Sequence, residues 1–368
     1  MRPTARTGRS RTVVAALIAA AIFAACGGDD DDGAGDLHPD ADLSTQSLVI
    51  SNWDAYTPED LIPSFTDEYG TKVELATHAT NEEIVGKLLQ SDGKGFDIAF
   101  VSAQFAEQLA AAGLLAELDH DLIPNMSHLA PEASELPGDP GLTYMIPYTW
   151  GTTGLCYRED MVSTPPSSWN DLLQPSDDLV GKITMLQTDR WMMLPAQKAL
   201  GFSANTTDEG ELEQVADLLI SAKQNLLAFD DTTFYSRLVS GEAALVQAWD
   251  GWCNYAIAEN PDVKFVVPSE GSDLWVDSMV ILKSSENKEA AHAFLNWVLD
   301  PVNHQQVAEL VLYKVPNPDA MANLDPALVE QYPNLGMTPA ELLAQEQLRD
   351  LGDAQQSYTD IVTRVVSS

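Results

Sequence analysis

The stretch "YMIPYTWGTTGLCY", residues 144–157, decides how this chain is put together. It is long and apolar, with two small-residue breaks, and so reads as a crossing between two bodies. On its N-terminal side, strands and helices alternate. "QSLVISNW" is a strand. Thr57, Pro58 and Asp60 follow as cap, first-turn proline and capping-box-like acid of a helix. That helix carries Leu61, Ile62, Phe65 and Tyr69 at helical spacing and stops at Gly70. "TKVELAT" is a strand, "NEEIVGKLLQ" a helix capped by Asn81, "FDIAFVS" a strand and "AQFAEQLAAAG" a helix ended by Gly113. This order implies a mostly parallel sheet covered by helices. On the C-terminal side a second alternating region runs through "GKITML", a helix capped by Thr188, "EAALVQAW" and "VKFVVP". "DLWVDSMVILKS" is a long strand and a candidate second crossing, and from roughly Thr338 the tail reads as two helices. The expected fold is α/β: a two-lobe clamshell, each lobe a mixed, mainly parallel sheet covered by helices, with a ligand cleft between the lobes. The expected divisions are 46–150 with 276–322 for the first lobe and 151–275 with 323–368 for the second.

Residues 1–25 have the form of a lipoprotein export signal: four Arg without an acid, a short apolar stretch, then small residues before Cys26. Cys26 is the expected lipidation site. Residues 26–45, rich in Gly and Asp, read as a flexible acidic tether. The chain is therefore expected to be exported and lipid-anchored, at the outer face of the cell membrane or in the periplasm. Its formal net charge of −37 argues against a nucleic-acid partner. Cys156 and Cys253 remain, in a compartment that permits a disulfide; whether they meet is not legible from their positions. The signatures of zinc, redox, nucleotide and serine-hydrolase sites are missing, so neither metal nor cofactor is implied.

Aromatic and acidic residues gather at strand ends. Trp53, Asp54 and Tyr56 follow the first strand, and Ser102 and Gln104 follow "AFV". Trp249 and Asp250 end "VQAW", and Tyr313 precedes "VPN". Trp275 and Asp277, two apart on a strand, share a face. In open α/β sheets such ends face a ligand crevice rather than a core. Ring faces and carboxylates suit an organic cation, through cation–π attraction and charge-assisted hydrogen bonds.

"SNWDAYTPEDLIPSFTDEYGTKV", "FDIAFVSAQFAEQL", "MIPYTWGTTGL", "LGFSANTTD", "LWVDSMVI" and "YKVPN" occur in this order from about Leu48 onward. Together they resemble the spermidine/putrescine-binding proteins of ABC import systems. The resemblance implies the type II periplasmic-binding-protein fold, with a hinge and a polyamine in the cleft. It assigns Trp53, Tyr56, Trp249, Trp275 and Tyr313 as aromatic contacts, Ser102 as a polar one and Asp277 as the acid that holds an amino group. It also marks departures. Thr188 and Trp191 stand where the family places two acids, with Asp189 nearby, and Gln104 replaces an aromatic. The family's cleft Gln falls at about Leu348, beside Gln347.

The expected function is therefore capture of a polyamine or related amine and its delivery to ABC permease subunits, by a monomer without enzymatic activity. Asp54 and Asp250 are candidates to replace the missing acids. Two alternatives stay open: the same fold binding an amino-acid-like amine, a sugar or an anion, and an exported enzyme.

Overall fold

The computed structural model of the protein describes residues 37–368. The export signal, Cys26 and the tether up to residue 36 lie outside the described residues. The folded body begins slightly earlier than the tether reading places it. Leu43–Thr45 forms a single turn capped by the Asp42 side chain, and the Thr71 hydroxyl donates to the Leu43 carbonyl at 2.8 Å.

Among the described residues, eleven strands form two sheets. They are β1 (Ser47–Trp53), β2 (Lys72–His78), β3 (Ile98–Ser102), β4 (Met145–Gly151), β5 (Thr153–Arg158), β6 (Ile183–Met185), β7 (Ala228–Phe229), β8 (Leu245–Trp249), β9 (Val263–Val266), β10 (Asp273–Ile281) and β11 (Glu346–Gln347). The first sheet runs β11-β10-β3-β1-β2, with β4 also paired to β10. The second runs β7-β6-β8-β5-β9. In each sheet the β-α-β strands are parallel, as expected, but the crossing strands enter antiparallel. β10 opposes β3 and β4, and β5 opposes β8 and β9. A strand arriving from the other lobe is not bound by the helix crossover that enforces parallel pairing.

The chain does pass between lobes inside residues 144–157, because β4 belongs to the first sheet and β5 to the second. The return at β10 lies against it. The Thr152 hydroxyl donates to the Asp273 carbonyl, and the Thr153 N–H donates to the Asp273 carboxylate at 2.8 Å. The third crossing falls later in the chain than the expected division at 322/323. β11 and the Pro339–Leu343 helix, expected in the second lobe, pack on the first. The chain then passes to the Gln355–Ser367 helix, which packs on the Asp189–Ala199 and Glu209–Lys223 helices of the second lobe. A two-residue strand has too little pattern to be seen in sequence.

The cores follow the patterning. All of β3 is buried, as are Leu48 and Ile50 of β1, and Phe65 meets Phe294 edge to face at 5.2 Å. In the second lobe Met192, Leu194, Val215, Leu219 and Val365 are fully buried. Cys156 of β5 and Cys253 of the Asp250–Glu259 helix are joined by a disulfide. It closes a loop between positions 97 apart and ties this helix to the strand beside the hinge. Replacing both cysteines by Ala should lower stability by about 2–4 kcal/mol, mainly by freeing the unfolded chain. Guanidinium denaturation measures this, and an unchanged midpoint would contradict it. Among the described residues no helix is long and apolar enough to cross a membrane.

Candidate functional site

The site grows from the C-terminal end of β1. The Asn52 side chain accepts from the Trp53 N–H and donates to Thr57, which shapes the 53–57 loop. Thr57 therefore does not cap the next helix, which begins at Leu61. The Tyr148 hydroxyl donates to the Tyr56 carbonyl at 2.6 Å and holds that loop against β4. Trp53 and Tyr56 meet edge to face at 5.5 Å, and both are half-buried.

Asp277 lies at the centre. The Tyr56 hydroxyl donates to one carboxylate oxygen at 2.9 Å, and the Ser102 hydroxyl donates to the other at 2.7 Å. Thr149 hydrogen-bonds the Tyr56 hydroxyl at 2.8 Å. Burial pushes the Asp277 carboxyl up to about 6, against the opposing pull of its two hydroxyl donors. Among the described residues no protein cation pairs with it. The rings of Trp275 and Tyr313 meet at 4.6 Å, and Tyr313 lies 6.3 Å from Tyr56. Two glycines admit these rings. A Cβ on Gly151 would stand 2.2 Å from the Trp275 ring, and one on Gly251 would stand 2.2 Å from that of Tyr313. Trp53, Tyr56, Ser102, Trp275, Asp277 and Tyr313 are thus linked in one network of contacts.

A second group continues along β10. The Trp191 N–H donates to the buried Asp273 carboxylate at 2.8 Å, and its ring meets that of Trp249 edge to face at 5.4 Å. Asp273, Trp275 and Asp277 are spaced by two and so line one face of the strand. A small cavity of about 50 Å³ opens here between the lobes, with Gln104 on one side and Thr188, Asp189 and Trp191 on the other. The Thr188 hydroxyl donates to Asp231, and Asp189 accepts from Thr359 and Gln355.

Two predicted residues fall elsewhere. Asp250 is fully buried and ion-paired with Lys314, so it is not offered to a ligand. Asp54 is exposed at the loop tip. Gln347 is turned to the Gly138 N–H, and Leu348 is buried.

Several residues that shape the site were missed. Asn81, expected as a helix cap, gives that role to Thr80 and instead grips Ser102, accepting from its N–H at 2.9 Å and donating to its hydroxyl at 3.1 Å. His78 packs on Trp53 and meets the Ser51 hydroxyl, and burial lowers its pKa to about 4, so it is neutral. Tyr148, Thr149 and Asp273 complete the set. Only Asp273 had a legible signal, the period-two run Asp273, Trp275, Asp277.

The model of the bacterial extracellular solute-binding protein family matches residues 60–337. The spermidine/putrescine-binding periplasmic protein of Escherichia coli (strain K12) is 31% identical over 319 residues, 85% of this chain and 90% of that protein. Among solved structures, the spermidine/putrescine ABC transporter substrate-binding protein of Streptococcus pneumoniae superposes with a TM-score of 0.77 at 30% identity, covering 88% of this chain and 99% of that one. A putative spermidine/putrescine ABC transporter protein of Listeria monocytogenes superposes at 0.78 and 30% identity, covering 87% and 98%. With a matching family model over most of its length, and relatives alike along nearly their whole chains, this chain belongs to the bacterial extracellular solute-binding proteins.

Proposed function

We propose that the protein captures a small primary amine of the polyamine class between its lobes and presents it to an ABC permease. One observation carries this reading. The partly buried Asp277 carboxylate is held by two hydroxyls, walled by rings and unpaired with any protein cation among the described residues. An ammonium there gains a charge-assisted hydrogen bond. It also gains about 0.5–2 kcal/mol for each ring face it meets. The relatives' names point to the same ligand class. A ligand touching β1 and β10 on one side and Trp191 and Trp249 on the other favours the closed lobes by its differential affinity for them. A lipid on Cys26 would keep this monomer near its permease.

The test is a thermal-shift and calorimetric panel of putrescine, spermidine, cadaverine, agmatine, amino acids and sugars. Primary amines should raise the melting temperature by mass action. A response confined to sugars or amino acids would redirect the reading to another solute.

The panel should also be run against pH. The Asp277 pKa, about 6 when folded, lies above its ordinary 3.8. The folded state therefore holds the extra proton between these values, and ligand-free stability should fall as pH rises from about 4 to 6. Amine affinity should run the other way, full above pH ~7 and dropping up to about tenfold per unit below 6 as the carboxylate takes a proton. An affinity flat between pH 5 and 7 would exclude Asp277 as the partner.

A further inference from the structure

We infer that the amine captured here ends, away from its ammonium, in an uncharged group that both donates and accepts hydrogen bonds, a carboxamide or hydroxyl seated on Gln104. The inference rests on the amine reading above and deepens it. Gln104 lies in the first turn of the Ala103–Ala111 helix, two residues beyond the Ser102 that holds Asp277. Its side chain is 5% exposed, and among the described residues neither its Oε1 nor its Nε2 meets a partner. Buried carboxamides are ordinarily satisfied. This one borders the cavity between the lobes, which at about 50 Å³ has room for a small polar group.

None of the cavity's charged groups is hydrogen-bonded to Gln104. Trp191 offers only its ring, because its N–H is held by Asp273. Of the lining carboxylates, Asp189 accepts from Thr359 and Gln355, Asp350 accepts from the Gly352 N–H, and Glu82 is exposed. Arg190 donates to the carbonyls of Arg349 and Ala204 and to Asn205, while Arg349 pairs with Glu107. No carboxylate is hydrogen-bonded to Gln104. An ammonium has donors only, so against Gln104 it would engage Oε1 and strand Nε2. A carboxylate would strand Oε1 instead. A carboxamide or hydroxyl can satisfy both atoms.

Calorimetry at neutral pH with four ligands of matched chain length tests this: putrescine, 4-aminobutanamide, 4-amino-1-butanol and butylamine. In the unmodified protein the amide or the alcohol should bind at least about tenfold more tightly than putrescine or butylamine. Gln104→Leu should erase that advantage, and Gln104→Glu should swing the preference to putrescine, with circular dichroism showing that both variants are folded. A preference for putrescine in the unmodified protein, or a preference that neither variant changes, would overturn the inference while leaving the amine reading in place. Failure of every amine to bind the folded protein would sink that reading, and this inference with it.

Discussion

Asp277→Asn should abolish the amine response, weakening binding about 100-fold or more while the fold survives. A desolvated ammonium that loses its only carboxylate forfeits a charge-assisted pair, an effect of roughly 3–5 kcal/mol when the charge stays buried. Asn preserves shape and hydrogen bonding. Its oxygen accepts from the Ser102 hydroxyl, and its amide can donate to the Tyr56 oxygen. Stability without ligand should not fall, because burial already disfavours the ionised acid there, as its pKa of about 6 reports. Calorimetry with the tightest amine of the panel, and a thermal melt without it, read the two effects separately. Unchanged affinity would remove Asp277 from its role and move attention to Asp54, the exposed acid on the β1 loop.

Lys314→Met should destabilise the protein by about 3–5 kcal/mol, since it leaves the fully buried Asp250 without a countercharge. Burial pushes the Asp250 carboxyl up, and the Lys314 ammonium pulls it back. The pair stands where the second lobe meets the returning chain. Lys314 also donates to the Asn334 carbonyl, and Asn334 donates to the Asp250 carbonyl. Adding Asp250→Asn to Lys314→Met should recover most of the loss, because no buried charge then remains. Urea titration of both single variants and the double variant closes the cycle. A loss under about 1 kcal/mol in Lys314→Met would mean that Asp250 reaches water or is already protonated.

Interaction range separates what was legible in the chain from what was not. Strand and helix order, the crossing at 144–157, the second crossing at "DLWVDS" and the shared face of Trp275 and Asp277 were all present in the sequence. Each depends on period two, period 3.6 or a break within a few residues. The strand-end rule then singles out Trp53, Tyr56 and Ser102, at the ends of β1 and β3, without any coordinates, whereas Tyr313 follows a helix.

Partnership was not legible, because it is settled by groups far apart in the chain. Asp250 has the same local setting as a cleft acid, yet Lys314, 64 positions away, takes it into a buried pair. Asn81 has the look of a cap, yet Thr80 caps and Asn81 holds Ser102. Trp191 is tied down by Asp273, and Gln104 is buried with two polar atoms unmet among the described residues. The pairing of Cys156 with Cys253, the antiparallel entry of the crossing strands and the place of β11 were decided the same way. Local periodicity sets which elements form and which faces they bury. Only packing between distant segments sets which polar group is already satisfied and which is left for a ligand.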